Sequence, residues 1–319
     1  MTALLNKTAF DLAQQFLKTQ ARPLEAARFR VHFEGAAPVE VLHELSPYQN
    51  ADGGFGHGLE PDFRSPKSSI LCTSIAFQVL REVGAPPDLE SIQRAIAFCV
   101  STLNEKHQTW PILPRDTDDS IPHAPWWNQA DQADESPNGD DDEAFSLNPS
   151  AEMLGYFYAY SNLVPSTLMP PIAERVLQSL SDRDTIEMHD LLCCLRLLNA
   201  PNVPKPVGDR LQSLLADLIP NVVDTDPQAW SGYRLRPLQV IDRPDSPFMP
   251  GLEEAVAANL DFAIASQTDE GAWVPTWSWG DQFPEAWAIA QREWAGMLTL
   301  DRLLTLRRFN RIEPLRTSP

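Results

Sequence analysis

The chain has 319 residues, 43% of them apolar, enough to bury a sizeable core in one large domain or two small ones. Its formal charge of −19 repels nucleic-acid phosphates and anionic membrane surfaces, which argues against both as partners. No apolar run reaches the length of a spanning helix, and residues 1–17 lack a basic start followed by a signal core, so the expected location is cytoplasmic.

The periodic segments are nearly all helical, and strand alternation is hard to find. The spacing predicts helices at 7–20, 23–34 (alone or merged with 38–48), 68–83, 89–103, 149–163, 169–181, 184–199, 205–220, 251–267 and 284–308. Pro23, Ser68, Asp88 and Pro149 mark starts as capping or first-turn residues. The 29 prolines punctuate the intervening segments. Connections at 84–88, 164–168, 182–183 and 200–204 are tight, whereas 49–67, 104–148, 221–250 and 268–283 are long. In antiparallel hairpins alternate connections emerge at opposite ends. The first, second and last long loops then share a rim, and 221–250 joins them if it holds one short helix near Arg234–Ile241.

Two helix ends carry the same segment. Gln49-Asn50-Ala51-Asp52-Gly53-Gly54-Phe55 and Gln267-Thr268-Asp269-Glu270-Gly271-Ala272-Trp273 both read Gln, three residues, Gly, any residue, aromatic. Gly ends a helix cheaply in the left-handed conformation, and the Gln amide can bond exposed backbone of a neighbouring helix beneath the ring. Such a clasp tethers one hairpin to the next. Worn copies start at Asn104 and Asp224, each with an aromatic six residues on (Trp110, Trp230) and Gln in the place of Gly.

This pattern resembles the Gln-x3-Gly-x-Trp repeat of the triterpene cyclases and protein prenyltransferase β subunits. The resemblance implies an all-α, single α/α toroid of roughly five to six helical hairpins around a central cavity. It spans residues 1–319 as one domain, with a long excursion at 104–148. No counterpart of the prenyltransferase zinc ligands is found, so neither a metal nor a cofactor is expected.

Asp116-Thr117-Asp118-Asp119 matches the Asp-x-Asp-Asp acid of the class II terpene cyclases. The resemblance makes Asp118 a proton donor tuned by Asp116 and Asp119. Clustered carboxylates suit that task, because like charges and desolvation keep one carboxyl protonated. The competing reading is a solvated acidic loop. His57-Gly58-Leu59-Glu60-Pro61-Asp62-Phe63-Arg64 follows the first clasp and packs a His, two carboxylates and an Arg into one turn-rich segment. His57, Glu60 and Asp62 are therefore acid/base candidates, with Arg64 as an anion clamp, against a reading of caps and ion pairs.

Seven of the nine tryptophans lie in the long loops. His123, Trp126 and Trp127 form one candidate ledge, and Trp273, Trp277, Trp279 and Asp281 another, with Trp230 beside them. Loop tryptophans anchor by burial or line a ligand cavity. Trp287 and Trp294, seven apart on the last helix, read as core. The acidic stretch 131–143 reads as a solvated excursion, and the four cysteines as buried small hydrophobes. Nucleophile elbows, phosphate loops and dinucleotide fingerprints are absent.

Three functions fit. The first is binding of an apolar, isoprenoid-class small molecule, with acid-initiated cyclisation. The second is a carbohydrate-active enzyme using Glu60, Asp62 and Asp281. The third is a non-catalytic binding or scaffold protein.

Overall fold

The structure, a computed structural model, describes residues 3–114, 116, 118–128, 145–181 and 183–314. Among them the chain forms twelve α-helices and no β-strand, only isolated bridges between single residues. The helices are α1 (Lys7–Thr19), α2 (Pro23–Phe29), α3 (Val39–Leu45), α4 (Ile70–Glu82), α5 (Glu90–Thr102), α6 (Leu147–Ala159), α7 (Met169–Ser181), α8 (Met188–Leu198), α9 (Lys205–Val222), α10 (Pro237–Val240), α11 (Glu253–Ala265) and α12 (Pro284–Arg308). The all-α expectation holds. The predicted helix at 23–34 widens into a π-turn over Arg30–Glu34, and Gly35 at φ 74° stops it, so it does not merge with α3. The short helix expected near 234–241 is α10.

By internal packing the chain divides into two compact units, residues 45–222 and residues 1–44 with 223–319. In the second of these, Asn6 caps α1 by accepting the Ala9 N–H at 2.9 Å. One face of α1, through Phe10, Ala13, Phe16 and Leu17, is buried. Each large apolar side chain so buried contributes about 1.5–3 kcal/mol. Helices α1 and α2 both pack on α12, and α10 packs on α11. Glu25, fully buried on α2, accepts two 2.8 Å bonds from Arg22, while Arg28 lies 3.7 Å away. That pairing is what makes the buried charge tolerable.

The other unit, residues 45–222, is held together by packing between helices. Helix α6 packs on α4 and most extensively on α8, while α5 packs on α4, α7 on α6, and α9 on α7 and α8. The Asn148 N–H donates to Asp190 Oδ1 at 3.0 Å, and seven residues further on Gly155 approaches Leu197 so closely that a Cβ would lie 3.1 Å from its Cα. Helices α6 and α8 therefore run parallel. Burial of nearly every α6 side chain explains its weak amphipathic pattern.

Each unit holds one clasp, and the two share a hydrogen-bond plan. Gln49 Nε2 donates to Gly53 O at 2.9 Å and to Ser91 O, at the start of α5, at 2.8 Å. Gln267 Nε2 donates to Gly271 O and to Ala9 O, at the start of α1, both at 2.9 Å. The backbone N–H of the aromatic donates to a threonine hydroxyl at 3.0 Å in both, Phe55 to Thr73 on α4 and Trp273 to Thr299 on α12. Gly53 and Gly271 take φ of 94° and 87°, and at each a Cβ would come within 2.4 Å of the opposing helix backbone.

The worn copies diverge. At Asn104–Trp110 the Gly position is Gln108, which adopts φ 58°, and Trp110 Nε1 donates to Cys99 O at 2.7 Å, much as Trp273 Nε1 donates to Ala263 O at 2.7 Å. At Asp224–Trp230 a 3-10 turn over Pro227–Ala229 takes the place of the left-handed residue. Replacing Gly53 or Gly271 by Ala is expected to cost about 2 kcal/mol or more, since positive φ and close backbone act together. Gln108→Gly should instead stabilise by about 0.5 kcal/mol, relieving the left-handed strain and removing a buried Oε1 that lacks a donor. Equilibrium urea denaturation of the three variants reads both signs.

Candidate functional site

Within residues 45–222 two of the expected segments meet. Residues 57–64 and 121–128 are joined by an antiparallel bridge between Phe63 and His123. The Ala124 N–H donates to Asp62 O at 2.8 Å, and the Arg64 N–H to Pro122 O at 3.1 Å. This pairing buries Glu60, Asp62 and His123 to 6%, 3% and 1% exposure. The His123 ring lies 2.6 Å from Ile121 O through Nδ1 and 2.8 Å from Asn128 Oδ1 through Nε2. The Arg64 guanidinium sits over Gly58, where a Cβ would be 3.5 Å from its Cζ. Beside them Trp126 is 46% exposed and Trp127 half-buried. The result is a buried acidic segment next to an accessible aromatic face.

His57 lies elsewhere, exposed at φ 58°, with Nε2 2.8 Å from Asn50 Oδ1. With Asn50, Asp52, Lys67, Ser68 and Asp116 it lines a shallow cleft of about 440 Å³. Lys67 Nζ reaches Asp116 Oδ2 at 2.6 Å. The acid expected at Asp118 does not have the environment that role requires. Asp116, Asp118 and Asp119 are exposed. The Lys67 ammonium holds the Asp116 carboxyl below its ordinary range, and bonding to Ser120 does the same for Asp118. A proton donor needs the opposite shift, from burial or repulsion. Thr117 and the acidic stretch 131–143 lie outside the described residues.

A buried polar cluster on α4, α6 and α8 carries no motif in the sequence. Glu152, 2% exposed, accepts Gln78 Nε2 at 2.9 Å, Arg196 Nη1 at 2.9 Å and the Tyr156 hydroxyl. Cys193 Sγ lies 3.7 Å from its other side, and Tyr156 OH also reaches Ser74 O at 3.2 Å. Burial, and then the Glu152 charge, push the Tyr156 phenol well above its usual range. Only the i, i+4 spacing of Glu152 and Tyr156 was visible in the sequence, and it reads equally well as an ordinary helix face.

In the other unit the tryptophans divide into two kinds. Trp230, Trp273 and Trp279 are buried to 4% exposure or less, so the expected ledge offers no Trp273 or Trp279 face to a ligand. These rings anchor loops: Trp230 Nε1 donates to Asp224 O at 2.8 Å. Trp277 and Trp294 are half-buried and meet edge to face at 5.1 Å, and Tyr233, 51% exposed, meets Trp277 at 5.6 Å. Trp287, also expected as core, is half-buried against Trp279 at 5.5 Å. Asp281 is exposed.

All four cysteines are buried, and no disulfide joins them. Among the described residues no group of three His, Cys, Asp or Glu side chains could hold a metal, and no helix is long and apolar enough to cross a membrane. Glu152→Ala should destabilise the protein by about 3 kcal/mol, because it strands the Arg196, Tyr156 and Gln78 donors, whereas Gln78→Ala should cost only about 1 kcal/mol; chemical denaturation distinguishes them. In comparisons with known proteins, the chain matches no protein-family model, and no curated sequence matches it.

Proposed function

We propose that the protein is a short α/α toroid of the terpene cyclase and prenyltransferase β-subunit kind that binds an apolar, isoprenoid-class ligand. The observation that carries this reading is the repeated clasp, which has one hydrogen-bond plan in both units. The exposed Tyr233 ring and the half-buried Trp277 and Trp294 rings supply faces suited to an isoprenoid chain or a developing carbocation. Any acid chemistry belongs to Glu60 or Asp62, which are buried, and not to Asp118, which is solvated and held ionised.

A carbohydrate-active enzyme is the second reading. It is favoured by two buried carboxylates two residues apart, close to the exposed Trp126 face on which a sugar ring could stack.

One panel separates the two. Purified protein is incubated with squalene, geranylgeranyl diphosphate and a set of oligosaccharides, with products followed by mass spectrometry and binding by thermal shift. The isoprenoid reading predicts stabilisation by an isoprenoid, and turnover that falls about 100-fold in Glu60→Gln or Asp62→Asn but stays within about twofold in Asp118→Asn. Stabilisation or cleavage confined to oligosaccharides would replace it with the second reading.

A further inference from the structure

Within residues 45–222 a groove of about 700 Å³ is lined by residues of α6, α7 and α9 and of the loops beside them. That is the size of a small-molecule site. Its buried lining is Tyr158, near the end of α6, with Met169 and Ala173 of α7. Leu177 of α7 and Val207, in the first turn of α9, are half-buried along it.

Tyr158 carries a polar group that the fold leaves open. The residue is only 6% exposed, and its carbonyl accepts from Asn202 Nδ2 at 3.4 Å. Its hydroxyl has no hydrogen-bond partner among the described residues, yet it is not sealed off, so it reaches the groove. Tyr156, two residues earlier, shows the usual outcome for a buried phenol, with its hydroxyl shared between Ser74 O and Glu152. No bond among the described residues would be lost with phenylalanine at 158. Whatever fills the groove, water or ligand, has to satisfy this hydroxyl. Burial holds the phenol above its ordinary range, so it stays protonated and both donates and accepts.

Charge selects the ligand. Among the described residues that line the groove, Glu174 carries the only charge, and it is exposed. Lys205, two residues before Val207, is paired with Asp209 at 2.7 Å. In a chain of net charge −19 an anion is repelled from this mouth and an ammonium is attracted. A second copy of the chain, equally acidic, is disfavoured for the same reason.

We propose that this groove binds a small apolar amine, with its hydrocarbon part along Met169, Ala173, Leu177 and Val207 and its ammonium bonded to Glu174 and the Tyr158 hydroxyl. The groove contains none of the residues of the isoprenoid reading, so the two stand or fall separately.

The test titrates the full chain with probes of one shape and different charge, 1-naphthylmethylamine, 1-naphthylmethanol and 1-naphthylacetate, and follows naphthalene fluorescence anisotropy. The amine is expected to saturate one site, with the alcohol about three- to fivefold weaker and the carboxylate weaker still. Tyr158→Phe should weaken the amine about fivefold through one lost hydrogen bond, while the melting temperature stays within about 2 °C of the wild type. Glu174→Gln should weaken it about three- to fivefold, and Leu177→Trp, which fills the groove, about tenfold or more. Glu90→Gln, which removes an exposed acid of α5 outside the groove, should leave it unchanged. The proposal is overturned if the amine does not saturate, if the carboxylate binds as tightly, if Tyr158→Phe and Leu177→Trp both bind as the wild type does, or if Glu90→Gln weakens binding as much as Glu174→Gln. Sedimentation as a dimer that Leu177→Trp dissociates would also overturn it, and would give the groove to a second copy of the chain.

Discussion

The interaction on which the rest depends is a side-chain amide that bonds two carbonyls at once. In each unit a glutamine closes its own glycine turn and, with the second N–H, holds the first turn of a neighbouring helix. Each bond contributes only about 1 kcal/mol net, but leaving a buried carbonyl or amide unmade costs about 1–3 kcal/mol. The left-handed glycine admits the opposing backbone, and the aromatic that follows hangs its N–H on a threonine from the next helix. Fixing these points fixes where the loops leave the helices. It is the loops that carry Glu60, Asp62, Tyr233, Arg236 and Trp277.

Two demands on the polar residues pull in different directions. The Glu152 cluster satisfies its members internally, with Gln78, Tyr156 and Arg196 all directed at one carboxylate. Arg236 instead reaches only a backbone carbonyl, that of Trp230 at 3.3 Å, and its Nε and that of Arg302 are buried without an acceptor. A network closed on itself holds helices together.

The helices were legible from the sequence because apolar period, proline punctuation and clasp residues agreed, and most boundaries fall within a few residues of the expected ones. Gln108 shows how far the pattern reached: a worn motif lacking its glycine still adopts the positive φ. Roles within the loops were less legible. Trp230 and Trp277 look alike in sequence, yet one is an anchor and the other a partly exposed face, and only their packing separates them. Asp118 matched a motif by residue type, but it is exposed and bonding to Ser120 holds its carboxyl below the ordinary range.

Native-state hydrogen exchange on Gln267→Leu and Gln49→Leu tests the account most directly. If the clasps position the loops, Gln267→Leu should lose protection at the Gly271, Ala272 and Trp273 amides and in the first turns of α1. Gln49→Leu should do the same at Gly53 to Phe55 and the start of α5, with the centres of α6 and α8 unchanged. Loop protection equal to the wild type in both variants would contradict it.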